Sequence, residues 1–441
     1  DRDRDRFFLR AAGVAGVYVP SLYLVKYQPD GKIGGLQPVK EGVPERVTRR
    51  AVKNFDAAPF PAAFIVPSTE VVHDRIMLEV MRGCTRGCRF CQAGVLYRPV
   101  REKSVETLLE QARQLVENTG YDEISLVSLS TADYSQVEKL VRKLLAEFAD
   151  QKVNISLPSL RVDAFSVDLA REVSRVRRAG LTFAPEAGTQ RLRDVINKGV
   201  TGEDLLQAVE SAFAAGWNAV KLYFMIGLPT ETRADVEGIA ALAHKVLETG
   251  RRLGVPRGKL TVTVSVSCFV PKPHTPFQWE PMETMDILGE KQVLLKNLLK
   301  TRGIVFRWHD PRMSFLEGVL ARGDRRLGPA LAEAWRLGCR FDGWSECFRF
   351  DLWQEAFART GIDPAWYAYR RYAYSDLLPW EHIDAGVSKK YLLREHQRAL
   401  AGRPTVDCRE GKCSGCGLCV ALEIEPELAG GKKIAPVQGS V

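Results

Sequence analysis

Long hydrophobic runs are missing from this sequence of 441 residues. Its apolar stretches, such as TVTVSVSCFV, are far shorter than the ~20 residues of a membrane-spanning helix, which excludes a protein anchored by such helices. The N-terminal string DRDRDR is not followed by an apolar run, which excludes a secretory signal peptide at this point. An initial methionine is also missing, as expected of a fragment or a processed form. We therefore expect a cytoplasmic protein with no membrane partner.

Neither charge nor hydrophobicity is extreme. With 45% hydrophobic and 27% charged residues, the composition is that of a globular protein, which excludes a disordered or fibrous chain. At about 150 residues per domain, the length predicts roughly two or three domains. The net charge of +9 favours an anionic partner such as nucleic acid, although a solvated basic surface is the commoner explanation of such an excess.

Cysteine is concentrated rather than spread along the chain. Seven of the ten cysteines fall in two tight clusters, at 84–91 and 408–419, in a long chain without a signal peptide. Small secreted proteins use dense cysteines for disulfides, whereas this usage indicates metal binding in a reducing cytoplasm. The two clusters are therefore the first candidates for functional sites.

Short strands and amphipathic helices alternate between about 76 and 300. Six βα units in a row predict parallel strands joined by right-handed crossovers, and thus an α/β fold. Eight units would close a TIM barrel, so six predict a partial (β/α)6 TIM-like barrel, with a doubly wound sheet as the alternative. The candidate strands are 77–82, 123–129, 153–157, 181–185, 219–227 and 260–269.

The segments around this core, 76–300, differ from it in composition. Residues 1–75 are irregular, with recurring Gly and Pro, and are interpreted as a lead-in segment. Residues 301–405 contain six of the eight tryptophans and are predicted to be mostly helical. A tryptophan-anchored core is the favoured interpretation there, and a surface that stacks RNA bases is the alternative. The last segment, 406–441, combines a small Cys-rich knot with a polar tail.

Cys84, Cys88 and Cys91 follow the first predicted strand in the string CTRGCRFC. A closed structural zinc site normally has four protein ligands, and no fourth Cys or His lies nearby in the sequence. Three thiolates on a cluster of four irons would leave one iron without a protein ligand, open to a substrate or cofactor. The carboxyl end of a parallel strand is also where barrel enzymes carry their chemistry.

The C-x3-C-x2-C spacing, with the aromatic Phe90 before the last cysteine, resembles the radical S-adenosylmethionine (SAM) superfamily. The resemblance implies a catalytic [4Fe–4S] cluster on Cys84, Cys88 and Cys91, with SAM chelated to the fourth iron. It also implies that an electron from the cluster cleaves SAM to methionine and a 5′-deoxyadenosyl radical, which abstracts hydrogen from a substrate. A reductant such as flavodoxin or ferredoxin would supply that electron. For the spacing alone, a zinc or redox loop is the alternative.

Further strings resemble the SAM-binding segments of that superfamily at the ends of later strands. SLSTADY stands where the family has a polar or Gly-Gly-Glu loop, and LPSLRVD offers a hydroxyl and a guanidinium to a carboxylate. APEAGTQRLRDVINKG resembles the family's G-x-E-S-G pattern, and LYFMIGLPTET resembles its GLPGET segment. A surface ion pair and a helix cap are the alternatives for the charged members. The resemblance assigns SAM contacts to Phe90, Ser130, Thr131, Ser159, Arg161, Glu186 and Gly227.

A nearer resemblance extends over about 40–420. The strings EVMRGCTRGCRFCQAG, TFAPEAGTQRLRDVINKG and SCFVPKPHTPFQWEPM look like an uncharacterised group of radical SAM proteins, whose members often carry an N-terminal cobalamin-binding-type domain. That domain and a D-x-H-x-x-G signature are not found in this sequence, which leaves the use of cobalamin open. One alternative is therefore a cobalamin-dependent radical methylase with a separate or missing domain. The other is a non-catalytic iron–sulfur module for RNA binding or electron transfer.

Cys408, Cys413, Cys416 and Cys419 form the second cluster, in the string CREGKCSGCGLC. The last three resemble the C-x2-C-x2-C run of bacterial ferredoxins, and Cys408 would supply the fourth ligand. Four thiolates on one short loop suit either an auxiliary iron–sulfur cluster or a closed structural zinc. A metal site is predicted in both cases, and an iron–sulfur cluster would be a candidate electron conduit or substrate ligand.

No motif identifies the substrate. The basic charge and the aromatic C-terminal region make RNA the favoured candidate, with a peptide or a small metabolite as alternatives. Cys268, at the end of the sixth strand, could donate a hydrogen atom, but such a residue is more often a small member of the core. His274, in the Pro-rich lip that follows, is explained either by a substrate contact or by a structural role.

Overall fold

The structure, a computed structural model, describes residues 3–156, 181–410 and 413–429. Of the predicted site residues, Ser159 and Arg161 lie outside these ranges. The strands, in chain order, are β1 (Tyr23–Tyr27), β2 (Ile33–Pro38), β3 (Val47–Thr48), β4 (Ile76–Glu79), β5 (Met81–Arg82), β6 (Arg101–Glu102), β7 (Glu123–Val127), β8 (Asn154–Ser156), β9 (Leu181–Glu186), β10 (Ala219–Ile226), β11 (Thr261–Cys268), β12 (Ile304–Trp308) and β13 (Ile383–Asp384). The helices are α1 (Arg4–Ala12), α2 (Gln92–Leu96), α3 (Val105–Thr119), α4 (Val137–Glu147), α5 (Gln190–Val195), α6 (Gly202–Ala214), α7 (Arg233–Arg252), α8 (Met285–Leu298), α9 (Pro311–Arg322), α10 (Gly328–Leu337), α11 (Phe350–Arg359), α12 (Pro364–Ala368), α13 (Lys389–Leu400) and α14 (Leu418–Leu422).

The parallel strands form two sheets in the described ranges, and both follow the chain order. The first is β4–β7–β8 and the second is β9–β10–β11–β12, with every neighbouring pair parallel. Helices connect consecutive strands within each sheet, as βα crossovers do. The predicted α/β fold with a partial, TIM-like barrel and a mostly helical C-terminal region is confirmed.

The second sheet contains a strand that the sequence did not reveal. β12 pairs in parallel with β11, from Ile304 opposite Val262 to Trp308 opposite Val266. It lies at the edge of the sheet, and two of its side chains, Val305 and Trp308, are exposed. An edge strand with exposed positions lacks the continuous apolar character of a buried parallel strand, so its pattern did not stand out in the predicted helical region.

Helix α3 shows how local sequence sets the ends of an element. Ser104 at its N-cap accepts a hydrogen bond from the N–H of Thr107 at 3.2 Å, and Gly120 ends the helix in the left-handed conformation with φ of 69°. The side chains of Leu108 and Leu115 on its apolar face are buried in the core under β4 and β7. Each such leucine contributes roughly 1.5–3 kcal/mol by leaving water. This core positions the carboxyl end of β4, where the first cysteines follow.

A second core lies under the other sheet. It joins Phe183 of β9, Leu222 of β10 and Val264 of β11 to the apolar faces of α6 and α7. All three side chains are fully buried, as expected of parallel strands covered by helices. The two cores hold the carboxyl ends of their strands in place, which is where the predicted site residues lie.

The N-terminal segment is fastened to the C-terminal region. β1 and β2 form an antiparallel hairpin, and β3 pairs with β13, with Val47 opposite Ile383. A separate helical core contains Trp353 and Phe357 of α11, which agrees with the tryptophan-anchored interpretation at Trp353, whereas Trp308, Trp335 and Trp344 are exposed. In the part of the chain that the structure describes, no helix combines the length and apolar character needed to cross a membrane.

Candidate functional site

The three cysteines of the first cluster lie on one loop, residues 84–91, between β5 and α2. Two loop positions require glycine. A Cβ on Gly83, where φ is 95°, would lie 2.6 Å from the carbonyl oxygen of Pro99. Gly87, with φ of 75°, faces a side-chain amide that its Cβ would approach to 3.2 Å. Cys91 is the N-cap of α2, and its Sγ accepts a backbone N–H of that helix at 3.2 Å.

The loop thiols influence one another. Burial raises the pKa of Cys84, and the neighbouring Cys88 raises it further. Burial also raises the pKa of Cys91 to about 11, again with a contribution from Cys88. Within the described ranges, no three His, Cys, Asp or Glu side chains are grouped as ligands of a single metal ion. The donor set suits a four-iron cluster, because each thiolate binds a different iron and the iron charge offsets the repulsion among thiolates.

A buried arginine inside the loop fastens it to two helices. The Arg89 guanidinium pairs with the carboxylate of Glu395 on α13 at 3.1 Å, and these side chains are only 0% and 2% exposed. It also donates to the carbonyls of Asp194 and Val195 in α5, both at 3.0 Å. The backbone N–H of Arg89 donates to the carbonyl of Ile196 at 2.9 Å. Such bonds fix the positions of the flanking thiols, as a preorganised ligand set requires.

Asn197 adds a second set of hydrogen bonds to the same loop. Its Nδ2 donates to the carbonyls of Arg86 and Gly87 at 3.3 and 3.2 Å. Its Oδ1 accepts the backbone N–H of Thr405 at 2.7 Å. Neither Arg89 nor Asn197 was identified from the sequence, although both stand inside the strings that carry the resemblance. The only signal was their position in those strings, because their partners are remote along the chain.

The loop after β7 brings Ser130 and Thr131 beside the cysteine loop. The hydroxyl of Ser130 donates to Asp133 at 2.6 Å, and that of Thr131 donates to a backbone carbonyl of β7 at 3.3 Å. Asp133 forms ion pairs with Arg86 of the cysteine loop and with Arg409. Burial would raise the pKa of Asp133, but the hydrogen bonds and charge of Arg86 outweigh it and hold this pKa below its ordinary value. Contact of the two hydroxyls with SAM stays a prediction.

Glu186 ends β9 in an unusual conformation. Its φ of 67° is in the left-handed region, which a non-glycine residue adopts at a cost and often at a functional site. One carboxylate oxygen accepts a hydrogen bond from Nζ of Lys198 at 3.1 Å. Lys198 also lies close enough to Cys91 to lower the pKa of its thiol, against the larger effect of burial. Lys198 therefore connects Glu186, by a hydrogen bond, to the electrostatic surroundings of Cys91, while contact of Glu186 with SAM stays a prediction.

Gly227 and Phe90 belong to the same region. Gly227 has φ of 81°, and a Cβ there would lie 3.0 Å from the side chain of Leu288 on α8. Its N–H donates to the buried carboxylate of Glu231 at 2.9 Å. Phe90 packs against a cluster that contains Leu228, the residue after Gly227. The structure thus brings the predicted aromatic and glycine contacts together, while their roles toward SAM stay predictions.

The second cluster occupies the segment that leads into α14. Burial raises the pKa of Cys408 to about 11, and it raises that of Cys419 to about 12, with the charges of Cys416 and Cys413 adding to the effect. The four thiols are therefore neighbours. The Sγ of Cys413 accepts the N–H of Gly415 at 3.4 Å. In the described ranges these thiols are not grouped around a single metal-ion position, so the two predicted metal centres rest on the donor set of four thiols. All ten cysteines of the chain are free thiols.

A buried arginine stands between the two clusters. Nε and Nη2 of Arg98 donate to the carbonyls of Cys84 and Thr85 at 2.9 and 3.1 Å. Burial lowers the pKa of Arg98, but Tyr391 and the thiols of Cys416 and Cys408 outweigh that effect and raise it overall. This cation therefore lies close to both sets of thiols. Sequence analysis did not identify Arg98, since no motif connects it to either cluster.

Two weaker candidates have ordinary surroundings. Cys268 is buried in the core of the second sheet, and its Sγ accepts a hydrogen bond from Gln292 at 3.8 Å. Burial raises the pKa of this thiol to about 11. His274 has φ of 58°, and burial lowers its pKa to about 4, so it is neutral at pH 7. The surroundings of Cys268 agree with the core interpretation.

Similar proteins are known for more than half of the chain. The profile of the radical SAM superfamily matches residues 78–243, which include the cysteine loop. An uncharacterised protein of Methanocaldococcus jannaschii is 35% identical over 256 residues, 58% of this chain and 53% of that protein. A tRNA-2-methylthio-N(6)-dimethylallyladenosine synthase of Protochlamydia amoebophila is 26% identical over 252 residues, 54% of this chain and 51% of that protein.

Among solved structures, the chain is similar to the cobalamin-dependent SAM radical enzyme OxsB, whose structure contains aqua-cobalamin and SAM. The TM-score is 0.41 and the identity is 13%, over 76% of this chain and 52% of that one. The chain spans about half the length of the curated relatives named above. The predicted cofactors, a [4Fe–4S] cluster and SAM, are those that the matched superfamily uses, and its members are enzymes. The profile match includes the clamped cysteine loop, and residues 78–243 therefore carry a radical SAM domain.

Proposed function

We propose that the chain cleaves SAM reductively and uses the resulting radical to abstract hydrogen from a substrate. The observation that carries this proposal is the set of three thiols, Cys84, Cys88 and Cys91, on one clamped loop at the carboxyl end of the parallel strands. When bound there, a [4Fe–4S] cluster would supply the electron for the cleavage and an open iron for the SAM amine and carboxylate.

The residues of the chain itself would hold the reactants in place. Arg89 and Asn197 keep the ligand loop in one conformation through their bonds to α5, α13 and Thr405. Lys198 places a positive charge between Glu186 and the cysteine loop, where an anionic group is to be bound. The proposed SAM contacts are Phe90, Ser130, Thr131, Ser159, Arg161, Glu186 and Gly227.

The second cluster, at Cys408–Cys419, is proposed to hold an auxiliary iron–sulfur cluster, with zinc as the alternative. Support comes from its position, because Asp407 accepts a hydrogen bond from Thr85 at 3.0 Å and so fastens Cys408 beside Cys84. A redox centre next to the catalytic one is useful as an electron conduit, whereas a structural zinc has no reason to lie there. Arg98 between the two sites would offset the negative charge of both clusters.

The electron and the substrate come from outside the chain. Radical SAM enzymes take their electron from an external reductant, and a flavodoxin or a ferredoxin is proposed for this role. RNA is proposed as the substrate. The basic net charge supports it, as does the similarity to the tRNA-2-methylthio-N(6)-dimethylallyladenosine synthase of Protochlamydia amoebophila.

Formation of 5′-deoxyadenosine tests the proposed reaction. The chain would be reconstituted anaerobically with iron and sulfide, reduced with dithionite and supplied with SAM. We expect 5′-deoxyadenosine and methionine from the native chain and none from Cys84→Ala, because the variant loses one of three cluster ligands. Cys347→Ala, which removes a thiol outside both clusters, serves as the matched control and should retain the product.

Metal analysis of the same samples decides the nature of the second site. Two four-iron clusters correspond to about eight irons per chain, whereas one cluster and a structural zinc correspond to about four irons and one zinc.

Loss of 5′-deoxyadenosine in both Cys84→Ala and Cys347→Ala would overturn the assignment of the loop. Unchanged RNA binding or electron transfer by Cys84→Ala, with no SAM cleavage by the native chain, would instead support the non-catalytic alternative.

A further inference from the structure

A cavity of about 1040 Å³ lies between the N-terminal segment, the residues that follow α2 and the end of α14. Its lining is strongly basic, with five cationic side chains and a single carboxylate, that of Glu423. A concentration of one charge sign in a concave surface attracts ions of the opposite sign. The cationic members are Arg49, Arg50, Lys53, Arg82 and Arg101.

The two innermost arginines bind neutral groups rather than carboxylates. The guanidinium of Arg101, which is 1% exposed, donates to three backbone carbonyls, including that of Val52 at 2.6 Å. Arg49 donates to the carbonyls of Ala385 and Arg98 at 2.8 and 2.6 Å. Carbonyl oxygens satisfy the hydrogen-bonding capacity of a guanidinium but leave its net charge uncompensated. A bound anion would provide that compensation.

The positive charges within the cavity repel one another, which affects the pKa of its members. Burial lowers the pKa of Arg101, and the charges of Arg82 and Arg49 lower it further. Burial likewise lowers the pKa of Arg49. Arg82 forms an ion pair with Glu79 outside the cavity. Asp384 acts on Arg49, and Glu427 and Glu79 act on Arg101, through their charge alone, because neither arginine forms an ion pair in the described ranges.

Two further cations stand at the rim and are accessible. The stem of Arg50 packs over Gly16, where a Cβ would come within 2.8 Å of it. Over the described ranges, Arg50 has neither a hydrogen-bond nor an ion-pair partner for its guanidinium. Lys53 pairs with Glu423 at 3.1 Å, and because both side chains are largely exposed this pair is weak. Both rim cations can therefore turn toward a ligand.

An aromatic side chain completes the rim. Tyr97 lines the cavity and is 49% exposed, which is typical of a ring that is available for stacking. By contrast, the tryptophan-rich cavity at the end of β12, lined by Trp308 and Trp344, contains four carboxylates and one arginine. Trp308 and Trp344 therefore lie in surroundings that repel phosphate, and the basic cavity is the better candidate for a phosphate-bearing ligand.

The cavity adjoins the cysteine loop. Tyr97 directly follows α2, a helix of five residues and thus about 7 Å, which begins next to Cys91. Arg49 donates to the carbonyl of Arg98, and Arg98 in turn donates to the carbonyl of Cys84. A ligand in the cavity is thereby two hydrogen-bonded residues away from a cluster ligand.

We propose that this basic cavity binds a phosphate-bearing nucleotide, either free or as part of an RNA strand. The arginines and Lys53 would contact phosphate oxygens, and Tyr97 would stack on a base. That this ligand is the substrate rests on the proposed function. The binding itself requires neither SAM nor a reductant, so its failure and the failure of SAM cleavage are separate results.

Binding of a fluorescein-labelled single-stranded RNA of about 12 nucleotides tests this proposal by anisotropy, over a series of salt concentrations. The sample is the full chain with its metal centres. The test variant is Arg50→Gln with Lys53→Gln, and the matched control is Arg257→Gln with Lys259→Gln, which removes two exposed positive charges from a remote loop. Since each phosphate contact contributes about 0.7 to the salt slope for a single strand, the test variant should flatten the slope by about 1.4. The control should leave it unchanged.

Competition separates the sources of the ligand. Displacement of the RNA by AMP supports the nucleotide site. Tyr97→Leu should then weaken the binding of both AMP and RNA and leave the salt slope unchanged. AMP binding without RNA binding supports the same site with a free nucleotide as its ligand. Inorganic phosphate that competes as well as AMP would contradict the stacking role of Tyr97. Equal competition by polyglutamate, or equal behaviour of the test and control variants, would overturn the proposal.

Discussion

Arg98 is the residue that connects the two cysteine sites most directly. It donates to the carbonyls of Cys84 and Thr85 on one side, and on the other it lies near enough to Cys416 and Cys408 of the second cluster for their charge to raise its pKa. A buried cation stabilises the reduced, more negative state of an adjacent cluster more than its oxidised state. The position of Arg98 would thus affect how readily the iron–sulfur clusters proposed for the two sites accept an electron.

Arg98→Gln should lower the reduction potentials of both clusters, because the variant keeps hydrogen-bonding groups but removes the charge. We expect a shift of order 50 mV, since for a one-electron couple a tenfold change in the equilibrium constant is about 59 mV. A redox titration followed by electron paramagnetic resonance measures both potentials. Arg98→Lys retains the charge and should shift them less. Equal potentials in Arg98→Gln and the native chain would show that the cation does not act on the clusters.

His274 makes stability depend on pH. Burial lowers its folded-state pKa from 6.5 to about 4, so protonation favours the unfolded chain. Its contribution is fully present above pH 6.5 and is lost as the pH falls toward about 4. In urea unfolding between these limits, His274→Gln should show a smaller decrease in unfolding free energy than the native chain. His244→Gln, which removes a histidine elsewhere, should keep the native pH dependence, and a flat native profile would contradict the prediction.

Residues whose role can be recognised from local spacing were predicted from the sequence. Residues whose role depends on contacts with remote parts of the chain were not. Cys84, Cys88 and Cys91 were identified because their spacing alone is informative. Arg89 and Arg98 were not, since the groups that they bind, such as Glu395 and Tyr391, follow about 300 residues later. Only the folded chain brings them together.

At the scale of elements, the close approach of β9 and α7 depends on a glycine. A Cβ on Gly188 would lie 2.3 Å from the carbonyl oxygen of Asp235 and equally close to the N–H nitrogen of Ile239. These are backbone atoms of α7, which cannot move aside as a flexible side chain could. The turn after Glu186 is thus held against α7 by the absence of a side chain.

Gly188→Ala should therefore destabilise the protein by roughly 1–3 kcal/mol or more, the usual range for overpacking. Urea unfolding measures the difference. Gly289→Ala is the matched control, because a Cβ there meets nothing within 4 Å. Within a helix, that exchange should be neutral or stabilise by up to about 1 kcal/mol. A stability for Gly188→Ala equal to that of the control would show that the two elements can separate without cost.

Elements with a strong period were predicted well and an edge strand was not. The predicted alternation of strands and amphipathic helices is found, for example in α3 with its Ser104 cap, because periodicity and capping are local signals. β12 escaped notice because an exposed edge strand has a mixed pattern. The loop of Ser130 was located correctly, but its bonds to Asp133 and thus to Arg86 arise only from tertiary packing.

At the scale of the whole molecule, the C-terminal region clamps the cysteine loop. Glu395 of α13 pairs with Arg89, and Thr405 and Asp407 bond to Asn197 and Thr85. The segment that contains the second cysteine cluster is therefore packed against the loop that contains the first. Folding of the C-terminal region and ordering of the cysteine loop are expected to be coupled.

Glu395→Gln tests this coupling. Removing one partner of a buried ion pair leaves the other charge uncompensated, which costs about 3–5 kcal/mol. We expect lower unfolding free energy together with a lower iron content after reconstitution, because the loop that holds Cys88 and Cys91 loses its clamp. Glu290→Gln, at an exposed position on α8, should change neither quantity. Loss of stability without loss of iron would mean that the loop forms its ligand set independently of α13.

Electron paramagnetic resonance of the anaerobically reconstituted, reduced chain, with and without SAM, tests the central claim most directly. The account predicts a [4Fe–4S] signal that depends on Cys84 and changes when SAM is added, because SAM binds the iron that has no protein ligand. A native signal that does not change when SAM is added would contradict this account. So would a Cys84→Ala variant whose reduced cluster gives the same signal as the native chain.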